Sequence, residues 1–291
     1  MKIGLNTYSF RKELEKTKEY TLDDVWRVAE NIGDIDGIEL LDRHIPGWAD
    51  GDIAAGIRQV NEAVDKHGWK LYALGPHLKM HKFLAGVRKK EIAQYKRWID
   101  LAADNGIPQI RSQVGGPFGF IAKRFPHRGV KTCSKLLDKV LPYAEERGVQ
   151  IGMETHWSYS SYPPFLDLIT KKYQKNPALG IIFDWGNFWT NEARYQALEI
   201  AARPYNHCHN HVKIFKFDQT NDMGDERHVY NVKKIVDTFA KNGFKNYFSI
   251  EYEGRERALK GVYRSVQLLK HSISGGSSPL NLETDWASLE N

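Results

Sequence analysis

A chain of 291 residues, 41% of them hydrophobic, can bury one sizeable core, and one large domain is expected. Its formal charge of +6 could signal an anionic partner, but lysines and arginines mix with acids along amphipathic segments such as 137–148. The densest basic runs, Arg88-Lys89-Lys90 and Lys171-Lys172, read as solvated helix faces, so a nucleic-acid partner is not expected. No stretch reaches the roughly 18 apolar residues of a membrane span, no signal-peptide pattern opens the chain, and two cysteines, Cys133 and Cys208, are too few for a disulfide framework; a cytoplasmic protein is expected.

Short apolar and β-branched runs alternate with segments of helical period. In chain order the pattern predicts a strand over 3–9 and a helix over 22–31, then pairs at 37–41 and 52–66, 70–75 and 90–105, 109–113 and 130–147. The second half continues with 150–154 and 164–172, 180–184 and 192–203, 208–214 and 232–242, and 247–251 and 257–271. Glycines at 68, 106, 148 and 243 stand where a left-handed C-cap ends a helix before the next strand. Eight βα units in a chain of this length close most readily as a (β/α)8 TIM barrel, an α/β fold, with an open doubly wound sheet as the lesser alternative. No G-x-G-x-x-G follows the first strand, which argues against a dinucleotide-binding fold. The barrel is assigned to 1–271 and an irregular C-terminal extension to 272–291, whose Trp286 is expected to dock on the barrel or on a neighbouring chain.

In such barrels the chemistry sits at the C-terminal ends of the strands. The fifth strand ends in Met153-Glu154-Thr155-His156-Trp157, the sixth in Phe183-Asp184-Trp185-Gly186-Asn187, the seventh carries His209-Asn210-His211-Val212-Lys213, and the eighth ends in Ile250-Glu251-Tyr252-Glu253. One acid at a strand end is ordinarily a helix cap or an ion-pair partner, and one histidine is ordinarily structural. Three carboxylates at one barrel mouth would repel one another unless a cation neutralised them, so a divalent ion is expected. Alternation along a strand leaves His209 level with His211 and Glu251 level with Glu253.

The motifs METH (153–156), FDWGN (183–187), HVK (211–213) and IEYEG (250–254) resemble, strand by strand, the xylose isomerase-like barrel superfamily, in particular its sugar phosphate isomerase/epimerase group. The resemblance covers the chain up to His271. It implies one divalent metal held by Glu154, Asp184, His211 and Glu251, with Glu154 and Glu251 as the acid–base pair of an isomerase or epimerase that passes through a metal-stabilised enediolate. His156 is a competing base. Within this reading His209 becomes a supporting or packing residue, and Glu253 is expected to pair with Arg255 or Arg257 at the rim. Oxygen-rich ligation with one imidazole favours Mn, with Mg, Co or Zn as alternatives.

A sugar or sugar derivative is the expected substrate, because His77, Arg111, Gln113, Asn6, Asn187 and Lys213 offer donors and acceptors for hydroxyls. Trp157 and Trp185 are expected either to close the pocket or to pack between strand and helix, and Asn6 and Gln113 equally suit barrel-core hydrogen bonds. A homodimer is the default assembly. Endonuclease IV shares the motifs, but its three-zinc site would need histidines where Gln113 and Asn187 stand, which argues against an abasic-site nuclease. Three alternatives keep the metal: a keto-inositol dehydratase, the large subunit of a C-glycoside deglycosidase, and a non-catalytic sugar-binding barrel. The deglycosidase would require a small second subunit and an aromatic aglycone, for which Phe118 is a further candidate contact.

Overall fold

The computed structural model describes residues 1–117, 119–217, 228–276 and 280–290. Eight strands form a closed barrel in sequence order: β1 (Lys2–Asn6), β2 (Gly37–Leu41), β3 (Lys70–Gly75), β4 (Gln109–Gln113), β5 (Gln150–Glu154), β6 (Leu179–Asp184), β7 (His207–Ile214) and β8 (Tyr247–Tyr252). The pairings of β1 with β2 and β8, of β3 with β4, and of β5 with β4 and β6 are parallel. The helices are α1 (Leu22–Ile32), α2 (Ile53–Lys66), α3 (Ala85–Asp104), α4 (Phe120–Arg124), α5 (Pro126–Glu146), α6 (Pro163–Tyr173), α7 (Asn191–Ala201), α8 (Val232–Lys241), α9 (Ala258–Ile273) and α10 (Trp286–Glu290). This is the expected (β/α)8 barrel. None of the described helices is long and apolar enough to cross a membrane.

The strand expected over 3–9 stops at Asn6, because the Asn6 side chain accepts the Tyr8 N–H at 2.9 Å and turns the chain into a 3-10 helix, Thr7–Phe10. Helices α3 and α5 begin earlier than periodicity suggests. In α5, Pro126 sits in the first turn, where its missing N–H costs nothing.

Contacts divide the chain into two compact units, Met1–Tyr72 with His211–Asn291, and Ala73–Asn210. In the first, α1 starts at a capping box between Thr21 and Asp24 and buries Val25, Trp26, Val28, Ala29 and Ile32. The face Val232, Ile235, Val236 and Phe239 buries α8 by the same spacing. The C-terminal segment belongs to this unit: Leu289 of α10 is buried, its carbonyl accepts Asn31 Nδ2–H at 3.3 Å, and Trp286 meets Tyr263 of α9 edge-on at 5.5 Å. In the second unit, α5 packs against α3 and α6, burying Leu136, Leu137, Val140 and Leu141.

Candidate metal centre

In the second unit β5 and β6 each end in a buried acid. Glu154 receives Arg111 of β4, whose Nη1 lies 3.3 Å from Oε2, while Nη2 of the same guanidinium reaches the Gly75 carbonyl at 3.3 Å. Asp184 is held on both oxygens: the Gly186 N–H donates to Oδ1 at 2.9 Å and Asn187 Nδ2–H to Oδ2 at 2.6 Å. Thr155 locks the two strand ends together, accepting the Asp184 N–H at 2.8 Å and donating to its carbonyl at 3.3 Å. Arg111 and Asn187, expected to meet substrate, each also hydrogen-bond one of the two acids.

In the first unit β7 and β8 bring His211, Lys213 and Glu251 together. Lys213 Nζ lies 2.9 Å from Glu251 Oε1 and 3.0 Å from Glu253 Oε1. Glu251 Oε2 faces His211 Nδ1 at 2.9 Å and accepts Asn6 Nδ2–H at 3.3 Å. The other His211 nitrogen, Nε2, lies 3.0 and 3.1 Å from the two oxygens of Glu39 on β2. Both nitrogens thus face carboxylates, although a neutral imidazole carries one N–H; the second contact needs a proton or a cation.

One ligand atom each from Glu154, Asp184, His211 and Glu251 falls within 4.8 Å of the others, and all four residues are buried. Three carboxylates and an imidazole at such range suit a divalent cation with hard or borderline preferences, which would take the place of a proton on Nδ1. The donor set fits the group implied by the motifs.

The remaining expected residues divide. His209 is buried one step away on β7, its Nδ1 2.7 Å from Gln109 Oε1, and it also falls within ligand range of Glu39 and His211. Glu253 pairs with Arg11 at 3.3 Å and with Lys213, whereas Arg257 reaches Glu290 at 2.6 Å; the expected rim pairing is replaced because the turn after β1 carries Arg11 to the site. Trp185 is fully buried, which favours its packing reading. Trp157 is partly exposed, at a positive φ of 33° that costs strain for a bulky residue, and its ring lies 4.7 Å from that of Trp189. The adjoining Ser158 hydroxyl fastens this loop to the Gly115 and Pro117 carbonyls at 2.6 and 3.0 Å. His156 is half-buried beside it, its N–H donating to Ser160 Oγ. His77 is exposed after β3, and Gln113 is tied at its backbone to Leu78 and Met80. Phe118 lies outside the described residues.

Sequence reasoning missed Glu39, Arg11 and Trp189. The signal for Glu39 was available: an acid in the middle of the apolar strand Gly37–Leu41 needs a buried partner. Arg11 and Trp189 carried no comparable mark.

A closed eight-stranded parallel barrel with acids and imidazoles at its strand ends has the architecture of the (β/α)8 enzymes. Residues 26–272 match the family described as Xylose isomerase-like TIM barrel, and the chain belongs to that family. Among its relatives is the 3'-dehydrocarminate deglycosidase alpha subunit of Microbacterium sp, 26% identical over 199 residues, a match that spans 64% of this chain and 49% of the relative. The chain thus spans about half the length of this curated relative. Solved structures of the same fold include a D-tagatose 3-epimerase-like protein (TM-score 0.68, 18% identity, 96% of this chain and 100% of that one). Another is the IOLI protein with a bound zinc atom (TM-score 0.69, 16% identity, 96% and 100%).

Proposed function

We propose that this chain is a divalent-metal-dependent sugar isomerase or epimerase that moves a proton on the carbon next to a carbonyl, with Glu154, Asp184, His211 and Glu251 holding the metal. The observation that carries the reading is the clustering of those four buried ligands, with Arg111 paired to Glu154 and Lys213 to Glu251. A divalent ion bound there would act as a Lewis acid on substrate oxygens. Manganese is the favoured ion on donor chemistry, with Mg, Co and Zn behind it.

Glu154 and Glu251 are the acid–base pair. One takes the C–H proton and the electron pair moves onto the carbonyl oxygen; a proton returned by the other to the opposite face of the same carbon, as the carbonyl re-forms, gives the epimer, whereas a proton returned to the former carbonyl carbon, with the hydroxyl proton passing to the other oxygen, gives the isomer. Arg111 and Lys213 oppose the negative charge on the pair and hold each carboxylate in one orientation. His156 stands by as a competing base, and His77, Gln113, Asn187 and Trp157 are candidate substrate contacts.

A second reading replaces the return of the proton by elimination: the electron pair re-forms the carbonyl and expels the group on the adjacent carbon, which leaves with a proton. The deglycosidase relative favours it, as does the Trp157–Trp189 pair, two flat apolar faces that suit an aromatic aglycone. That reading calls for a small second subunit; the first is compatible with a homodimer.

Elemental analysis of wild type and Asp184→Ala, followed by proton exchange into ketoses, keto-glycosides and keto-inositols in heavy water, tests both. About one divalent ion per chain, lost in the variant, together with deuterium on a sugar carbon, is expected. Rearranged sugar supports the first reading and released aglycone or water the second. Absence of metal after loading overturns both.

A further inference from the structure

Behind His211 runs a buried chain of hydrogen bonds with no exposed member. Tyr72 of β3 donates its hydroxyl to Ser249 Oγ at 2.6 Å, Ser249 donates to Glu39 Oε2 at 2.9 Å, and both Glu39 oxygens face His211 Nε2. Burial pushes the Tyr72 phenol well above its ordinary range, with the Glu39 charge adding to it, so the phenol keeps its proton and remains the donor. The Ser249 hydroxyl hydrogen is thereby directed at Glu39, and Glu39 in its ionised form can only accept from His211 as well. Nε2 then carries the proton. Nδ1, on the opposite edge of the ring, then presents its lone pair on the side where Glu251 Oε2 stands 2.9 Å away. Gly4 makes the chain sterically feasible, since a Cβ there would overlap the Tyr72 ring.

We propose that Glu39 is a positioning residue for the metal site: backed by Ser249 and Tyr72, it fixes the tautomer and orientation of His211 so that Nδ1 is the ligand atom. This rests on the four-ligand reading above. A carboxylate on the far nitrogen of a ligating imidazole raises the basicity of the near one and removes the cost of orienting the ring on metal binding. Glu39 also lies within ligand range of His209 and His211, which defines the competing role: Glu39 as a direct ligand of an ion deeper in the barrel.

The test is Co(II) and Mn(II) binding by the full chain, with wild type, Glu39→Gln, Ser249→Ala, His209→Asn and Asp184→Asn compared. Binding is read by titration and by the visible absorption of the Co(II) protein, with the thermal midpoint of the metal-free form recorded alongside. Glu39→Gln should weaken binding by about 10- to 100-fold and shift the Co(II) bands, and Ser249→Ala should weaken it several-fold. His209→Asn should bind as wild type does, and Asp184→Asn should not bind. Unchanged affinity and spectrum in Glu39→Gln, even with a lowered midpoint, would make Glu39 merely structural and overturn the proposal. Should Glu39→Gln not fold, unchanged binding by Ser249→Ala overturns it equally. Loss of binding in His209→Asn with retention in Asp184→Asn would place the ion on Glu39, His209 and His211 and overturn it too. A wild-type protein that binds neither ion removes the four-ligand reading itself, a result distinct from any failure confined to Glu39.

Discussion

Lys213 and Glu251 form an ion pair of 2.9 Å in which both side chains are about 95% buried. The same ammonium reaches Glu253 at 3.0 Å, so one cation holds an expected metal ligand and a rim acid in fixed relation. Removing it should be felt in stability and in turnover. Lys213→Met is expected to cost about 3 kcal/mol in urea unfolding, because a buried carboxylate loses its partner, and to lower kcat more than it raises KM. Unaltered stability would mean that His211 and Asn6 suffice for Glu251.

The two acids at the end of β8 should behave differently. Glu251→Gln and Glu154→Gln should each lower kcat by about 10²- to 10⁴-fold while retaining part of the metal. Glu253→Gln, whose partners are Arg11 and Lys213 at the partly exposed rim, should retain most activity. The reverse pattern, measured as deuterium exchange into an accepted sugar, would move the ligand and base assignment to Glu253.

Three histidines carry a pH dependence of stability. Burial lowers the pKa of His44, His81 and His207 below the ordinary histidine value, against opposing hydrogen bonds such as that of His44 to Glu15. The unfolded chain therefore binds these protons at a higher pH than the folded one does. Their contribution is complete above the unfolded value, about 6.5, and is lost as pH falls from there towards the depressed folded values. The thermal midpoint should drop between pH 7.5 and 5.5, and His44→Gln should flatten that slope. A midpoint that rises on acidification would contradict the burial argument.

The C-terminal helix contributes to the fold of its unit. Leu289 is buried, and Trp286 packs on Tyr263 beneath Lys260 and Arg264. Leu289→Ala should destabilise by about 2 kcal/mol in urea titration. An unchanged midpoint would show that α10 is dispensable.

Trp157 joins strain to exposure. Trp157→Gly relieves a positive-φ penalty of about 1–3 kcal/mol but removes the ring that lies tilted against Trp189, so stability should hold while KM rises for any substrate with an aromatic portion. Equal KM for aromatic and simple keto-sugars in the variant and wild type would separate Trp157 from substrate recognition.

Much of this was written along the chain. Strands are runs of local apolar and β-branched residues and helices are stripes of fixed period, so β2, β3, β4 and β5 were located to the residue, and the acids of β5, β6 and β8 stood out because they interrupt apolar runs at strand ends. What local pattern cannot encode is which distant side chain answers each charge. Arg111 lies 43 residues from Glu154, Glu39 lies 172 from His211, and Asn6 lies 245 from Glu251; the pairing of β4 with β5 makes the first two neighbours, and closure of the barrel the others. The sequence alone therefore determined the fold, its family and the candidate ligands. Tertiary structure decided that Arg111 and Asn187 hydrogen-bond acids, that Trp185 is buried, and that Glu39 stands behind His211, because in a low-dielectric interior each buried charge must find its partner wherever the chain's closure brings one.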